Sequence, residues 1–129
     1  MRPMQGLQIL LVEDEEPLRI LTARMLELAG YTVLAAGNGE EALALLEATE
    51  ASVQLVLTDV IMPRMGGREL ANRLGELHPD YKIIYMSGYT DSAIAVHGVL
   101  EPTVNLLGKP FTMAQLTQKV REVLDGGSP

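Results

Sequence analysis

Short apolar runs bounded by turn-forming residues alternate along this chain with longer stretches whose apolar positions recur at helical spacing. That alternation is the pattern of repeated βα units feeding a parallel sheet, and five such units can be read. The predicted strands cover 8–12, 32–35, 54–58, 82–86 and 104–107. Each is short and mostly apolar rather than strictly alternating, as strands covered on both faces are.

The helices carry legible ends. The first follows Pro17, which loses nothing by lacking an N–H at the start of a helix, and Gly30 stops it. Leu18, Leu21, Met25 and Leu28 form its expected buried stripe. Asn38 opens the second, with Glu41 three residues on completing a capping-box-like pair. A third is predicted over 67–77, ahead of Pro79. The fourth, in 90–100, is short and interrupted by Gly98. The last opens at Thr112 with Gln115 at its third position and buries Met113, Leu116, Val120 and Val123.

A chain of 129 residues is large enough for one core and too small for two. The expected organisation is a domain over 7–125, an N-terminal extension over 1–6, and a tail or linker start over 126–129. Composition keeps the chain in the globular class, with 47% hydrophobic and 21% charged residues. The formal charge is −7 and the basic residues are scattered, so no electrostatic footprint for nucleic acid exists. The absence of cysteine removes disulfide scaffolds, zinc thiolates and thiol nucleophiles, and it fits a reducing cytoplasm. His78 and His97 stand far apart in sequence and read as a helix-end and a surface residue. Met62 and Met65 read as loop packing. No apolar run reaches the roughly 18 residues that span a bilayer, and "MRPMQG" lacks the apolar core of a secretion signal, so no membrane contact is expected.

In open α/β sheets, ligands bind beyond the carboxyl ends of the strands. Those ends here carry Glu13 and Asp14, then Asp59, Ser87 and Lys109. Acids early in a helix commonly answer its dipole, which accounts for Glu15 and Glu16 and is an equal contender for Glu13 and Asp14. Asp59 is harder to explain away. It closes an apolar central strand where a lone carboxylate is costly, and Pro63, Gly66 and Gly67 already supply the turn. If the fold gathers Glu13, Asp14 and Asp59, the three repel unless a cation sits among them, and Mg²⁺ with its hard oxygen ligands suits the set. With Lys109 added the charges balance, and a phosphoryl group arriving on Asp59 would meet neutralising charge. Ser87 could donate its hydroxyl there, although before Gly88 a plain turn role is more common. A cis bond before Pro110 would aim Lys109 inward.

"LVEDEE", "LVLTDVIMPRMGG", "YMSGY" and "GKPFT", in this order and at these strand ends, resemble the receiver domains of two-component response regulators across nearly the whole chain. The resemblance implies a flavodoxin-like (βα)5 doubly wound fold, a five-stranded parallel sheet in the order 2-1-3-4-5. It implies that Asp59 accepts a phosphoryl group from a histidine kinase or phosphotransfer domain. Glu13, Asp14, Asp59 and the backbone carbonyl of Ile61 would hold Mg²⁺ or Mn²⁺, while Lys109 and Ser87 would contact the phosphoryl group. The chain would be a signalling domain that catalyses only its own phosphorylation and dephosphorylation. Its switching surface would comprise the fourth helix, fifth strand and fifth helix, which would also serve for homodimer formation. The sequence departs from the family at Leu106, where Tyr or Phe usually stands three residues before the lysine. Repacking of Leu106 or Tyr89 would then take the place of an aromatic switch. "MSGY" resembles receivers attached to hybrid histidine kinases.

Two other readings compete. A flavodoxin-like module binding a phosphorylated ligand would need a glycine-rich loop after the first strand, where four acids stand instead. A receiver-like interaction domain that works without phosphorylation would not need the full acid set and Lys109.

Overall fold

The computed structural model describes residues 8–48, 53–60, 67–77, 82–88 and 105–125. Five strands, β1 (Gln8–Val12), β2 (Thr32–Ala36), β3 (Leu55–Asp59), β4 (Lys82–Gly88) and β5 (Asn105–Lys109), form one sheet in the order β2-β1-β3-β4-β5. All four pairings are parallel. The described helices are α1 (Glu16–Leu28), α2 (Gly39–Ala48), α3 (Gly67–Leu77) and α4 (Met113–Leu124). This is the doubly wound flavodoxin-like arrangement expected. The helix expected in 90–100 lies outside the described residues, as do the extension over 1–6 and the tail over 126–129.

Successive strand residues face opposite sides of a sheet, and the chain uses both. Ile9, Leu11, Leu55, Leu57, Ile84 and Met86 pack against Leu26 of α1 and Leu116 and Val120 of α4. Leu10, Val12 and Val56 meet Ala42 of α2 and Leu70 and Leu74 of α3 on the other side. Strands buried on both faces explain the unbroken apolar runs. Each fully buried Leu or Ile contributes about 1.5–3 kcal/mol relative to exposure.

The expected helix ends are present. Thr112 and Gln115 form a reciprocal capping box at α4. Glu41 donates its N–H to Asn38 Oδ1 at 2.8 Å, but its carboxylate accepts from Gly37 N–H at 3.2 Å, one residue earlier than a capping box requires. Gly30 ends α1 with φ 103, a left-handed conformation that suits glycine.

Three expectations need correction. Leu21 and Leu28 of α1 are 51% and 73% exposed, while Thr22 and Leu26 are buried instead. The helix is turned about one position from the expected stripe, because Leu26 is the side chain that reaches the sheet core. Met113 is also exposed rather than buried, at the first turn of α4. Finally, β1 ends where expected, but the other four strands run one or two residues further than expected. Asp59 and Lys109 are thereby the last residues of β3 and β5, and Ser87 is the next to last of β4.

Candidate functional site

β1 lies between β2 and β3, so the connections from β1 and β3 leave on opposite faces and open a crevice at their carboxyl ends. Glu13 enters it pinned at four points. Its N–H donates to the Ala36 carbonyl at 3.0 Å, and its carbonyl accepts from Arg19 Nη1 at 2.9 Å. Its carboxylate accepts from the Glu15 N–H at 3.1 Å and from Lys109 Nζ at 3.0 Å. Glu13 is wholly buried, while Asp14 beside it is exposed to water.

Asp59 sits at the end of the fully buried central strand, in register with Met86 of β4, and is itself 2% exposed. Its Oδ1 accepts from Lys109 Nζ at 2.8 Å and its Oδ2 from the Asp14 N–H at 3.4 Å. Lys109 therefore bridges two buried carboxylates from the end of β5. Its bond to Pro110 is cis.

Burial pushes the Asp59 carboxyl up to about 8; Lys109 opposes the rise and Glu13 adds to it. Burial alone would lower Lys109, but its contacts with Asp59 and Glu13 outweigh that and hold it above the ordinary lysine value. One ammonium thus serves two carboxylates, and the site remains short of positive charge.

Glu13, Asp14 and Asp59 each offer a carboxylate oxygen within 4.8 Å of the others. With all three carboxylates ionised, as a bound cation would hold them, the set less one lysine carries two negative charges, which a divalent cation would neutralise. The donors are all hard oxygens, with exposed Asp14 on the water side, and this fits an ion such as Mg²⁺ or Mn²⁺ that keeps several water ligands.

The four charged residues read from the sequence are brought together. Ser87 lies half-buried at the same end of the sheet, one residue past the partner of Asp59 and paired with Gly108. Ile61 and Tyr89 lie outside the described residues. Sequence reasoning missed Arg19, which grips the Glu13 carbonyl and also stands 3.8 Å from Glu16. The available signal was a basic residue one turn into a helix that opens on acids.

With this geometry in hand, comparison with known proteins is decisive. The model of the response regulator receiver domain family matches residues 9–121. The chain belongs to that family. It is similar to sensor kinase CckA of Brucella abortus, with 41% identity over 91% of the chain but only 12% of the kinase. It is also similar to response regulator receiver protein CpdR of the same organism, with 36% identity over 91% of the chain and 96% of that protein. Among solved structures, the receiver domain of hybrid histidine kinase CckA superposes with a TM-score of 0.75 at 34% identity, covering 91% of this chain and 98% of that one. The protein is thus a receiver domain of two-component signalling. No helix among the described residues is long and apolar enough to cross a membrane.

Proposed function

We propose that this receiver domain takes a phosphoryl group onto Asp59 from a phosphohistidine of a histidine kinase or phosphotransfer domain. An Asp59 oxygen attacks phosphorus as the P–N bond breaks, and the imidazole leaves with the electron pair. Glu13, Asp14, Asp59 and the Ile61 carbonyl would hold Mg²⁺, or Mn²⁺ in its place. When bound, the ion supplies positive charge to the phosphoryl oxygens.

The chain's own residues do the rest. The Asp14 N–H holds Oδ2, while Oδ1 is freed as Lys109 shifts its hydrogen bond from that oxygen to an oxygen of the incoming phosphoryl group. Ser87 donates its hydroxyl to another phosphoryl oxygen from the end of β4. The same groups serve the attack of water on phosphorus, in which the P–O bond to Asp59 breaks, the carboxylate is restored and inorganic phosphate leaves, so the chain catalyses only its own phosphorylation and dephosphorylation. The new charge draws Ser87 and Lys109 inward and biases the surface that includes β5 and α4, where Leu106 and Met113 are exposed. That surface would serve an output partner or a second copy of the chain.

The observation that carries the reading is the Lys109 bridge between buried Asp59 and Glu13. The test is intact-mass measurement after incubation with acetyl phosphate and Mg²⁺. Wild type gains one phosphoryl group; Asp59→Asn does not, and undiminished labelling of that variant would refute the proposal.

A further inference from the structure

Arg19 is tied to the site by an arrangement that the phosphoryl chemistry does not itself require. Its Nη1 donates to the Glu13 carbonyl oxygen at 2.9 Å. That carbonyl belongs to the same planar peptide unit as the Asp14 N–H, and the Asp14 N–H donates to Asp59 Oδ2 at 3.4 Å. A peptide unit rotates as one body. Gripping its oxygen therefore fixes where its N–H points, and with it the relation between Asp14 and Asp59. A guanidinium donor makes this grip stronger than a neutral one would.

Gly37 gives independent support. Its φ is not in the left-handed region, which among the described glycines only Gly30 occupies, so the backbone does not demand glycine there. A Cβ at Gly37 would instead stand 3.2 Å from Arg19 Nη1 and 3.4 Å from Glu41 Oε2. Glycine at this position leaves room for the guanidinium. The Gly37 N–H in turn holds Glu41 at 3.2 Å.

We infer that Arg19, seated against Gly37, is a positioning residue that orients the Glu13–Asp14 peptide toward Asp59 and thereby sets the affinity of the acidic cluster for a divalent cation. This rests on the metal reading proposed above. Its sign separates it from simple electrostatics. Removing a positive charge beside three carboxylates should strengthen cation binding by Coulomb attraction alone, whereas losing the orientation should weaken it. Residues that orient metal ligands typically change affinity 10–100-fold when removed.

The experiment is calorimetric titration of purified protein with MgCl₂, repeated with MnCl₂ by electron paramagnetic resonance. Arg19→Ala is expected to bind at least about tenfold more weakly. Arg19→Lys, which keeps the charge and one donor, should recover part of the loss. Gly37→Ala should weaken binding by displacing the guanidinium, and should add little in the Arg19→Ala background, because both changes act on one contact. Arg73→Ala, which removes a charge paired with Glu69 on exposed α3, should bind as wild type does.

Arg19→Ala binding as tightly as wild type, or more tightly, would overturn the inference while leaving the metal site intact. If Arg19→Ala fails to fold, unchanged affinity in both Gly37→Ala and Arg19→Lys would overturn it equally. Failure of the wild type to bind either ion would overturn the metal reading and this inference with it.

Discussion

β3 and β5 each end in a charged residue of the site, yet they are different strands. All five residues of β3 are buried, and Asp59 leaves it with its side chain already enclosed. β5 lies at the sheet edge, with only Leu107 buried, Leu106 40% exposed, and a lysine whose side chain retains 16% of its exposure. The central strand can hold a carboxylate rigidly but cannot neutralise it; the edge strand supplies a long cation that crosses from residue 109 to residues 13 and 59. The proposed acceptor and its counter-charge thus sit on parts of the sheet that differ in burial, one enclosed at the centre and one partly open at the edge.

The contrast between centre and edge can be broken most sharply by truncation. Leu57→Ala in β3 should cost roughly 2–5 kcal/mol of unfolding free energy, and Leu106→Ala in β5 about 1 kcal/mol or less, both by denaturant titration. Equal losses would show that the two strands do not differ as described. Lys109→Met tests the bridge itself. Without added metal it should destabilise by about 3 kcal/mol, since it leaves two buried carboxylates with no cation.

Asp59→Asn should act in the opposite direction, by an amount on the order of 1–2 kcal/mol in metal-free protein at pH 8. The Asp59 carboxyl is raised from 3.8 to about 8 in the folded chain. Its favourable contribution is therefore complete below the unfolded value and is lost as pH rises through the folded one. The advantage of Asp59→Asn over wild type should accordingly grow between pH 4 and pH 8 in thermal melts with chelator, and shrink when Mg²⁺ is added. A gap that does not change with pH would contradict the burial of a shared negative charge.

Much of this was legible in the sequence because local pattern and burial coincide. Strands covered on both faces have to be apolar along their length, so an acid at the end of one, such as Asp59, stands out. Caps such as Thr112 with Gln115 are equally local. What was misread depends on tertiary rotation. Leu18, Leu21, Met25 and Leu28 make a helical stripe as good as the one that includes Thr22 and Leu26, and only packing against the sheet chooses between them. Met113 shows the same limit at the first turn of α4. Arg19 was missed for a related reason: its contact with the Glu13 carbonyl, in the room left by Gly37, is set by how α1 packs at the end of the sheet, which no spacing within α1 reveals.

The central claim is that the buried Asp59, rather than its exposed neighbour Asp14, receives the phosphoryl group. Hydride trapping followed by peptide mapping tests it most directly. The chain is phosphorylated with acetyl phosphate and Mg²⁺, the acyl phosphate is reduced with borohydride, and the resulting homoserine is located by mass spectrometry. The expected result is homoserine at position 59 and aspartate retained at position 14. Homoserine at position 14, or reduction spread over several acids, would contradict the claim.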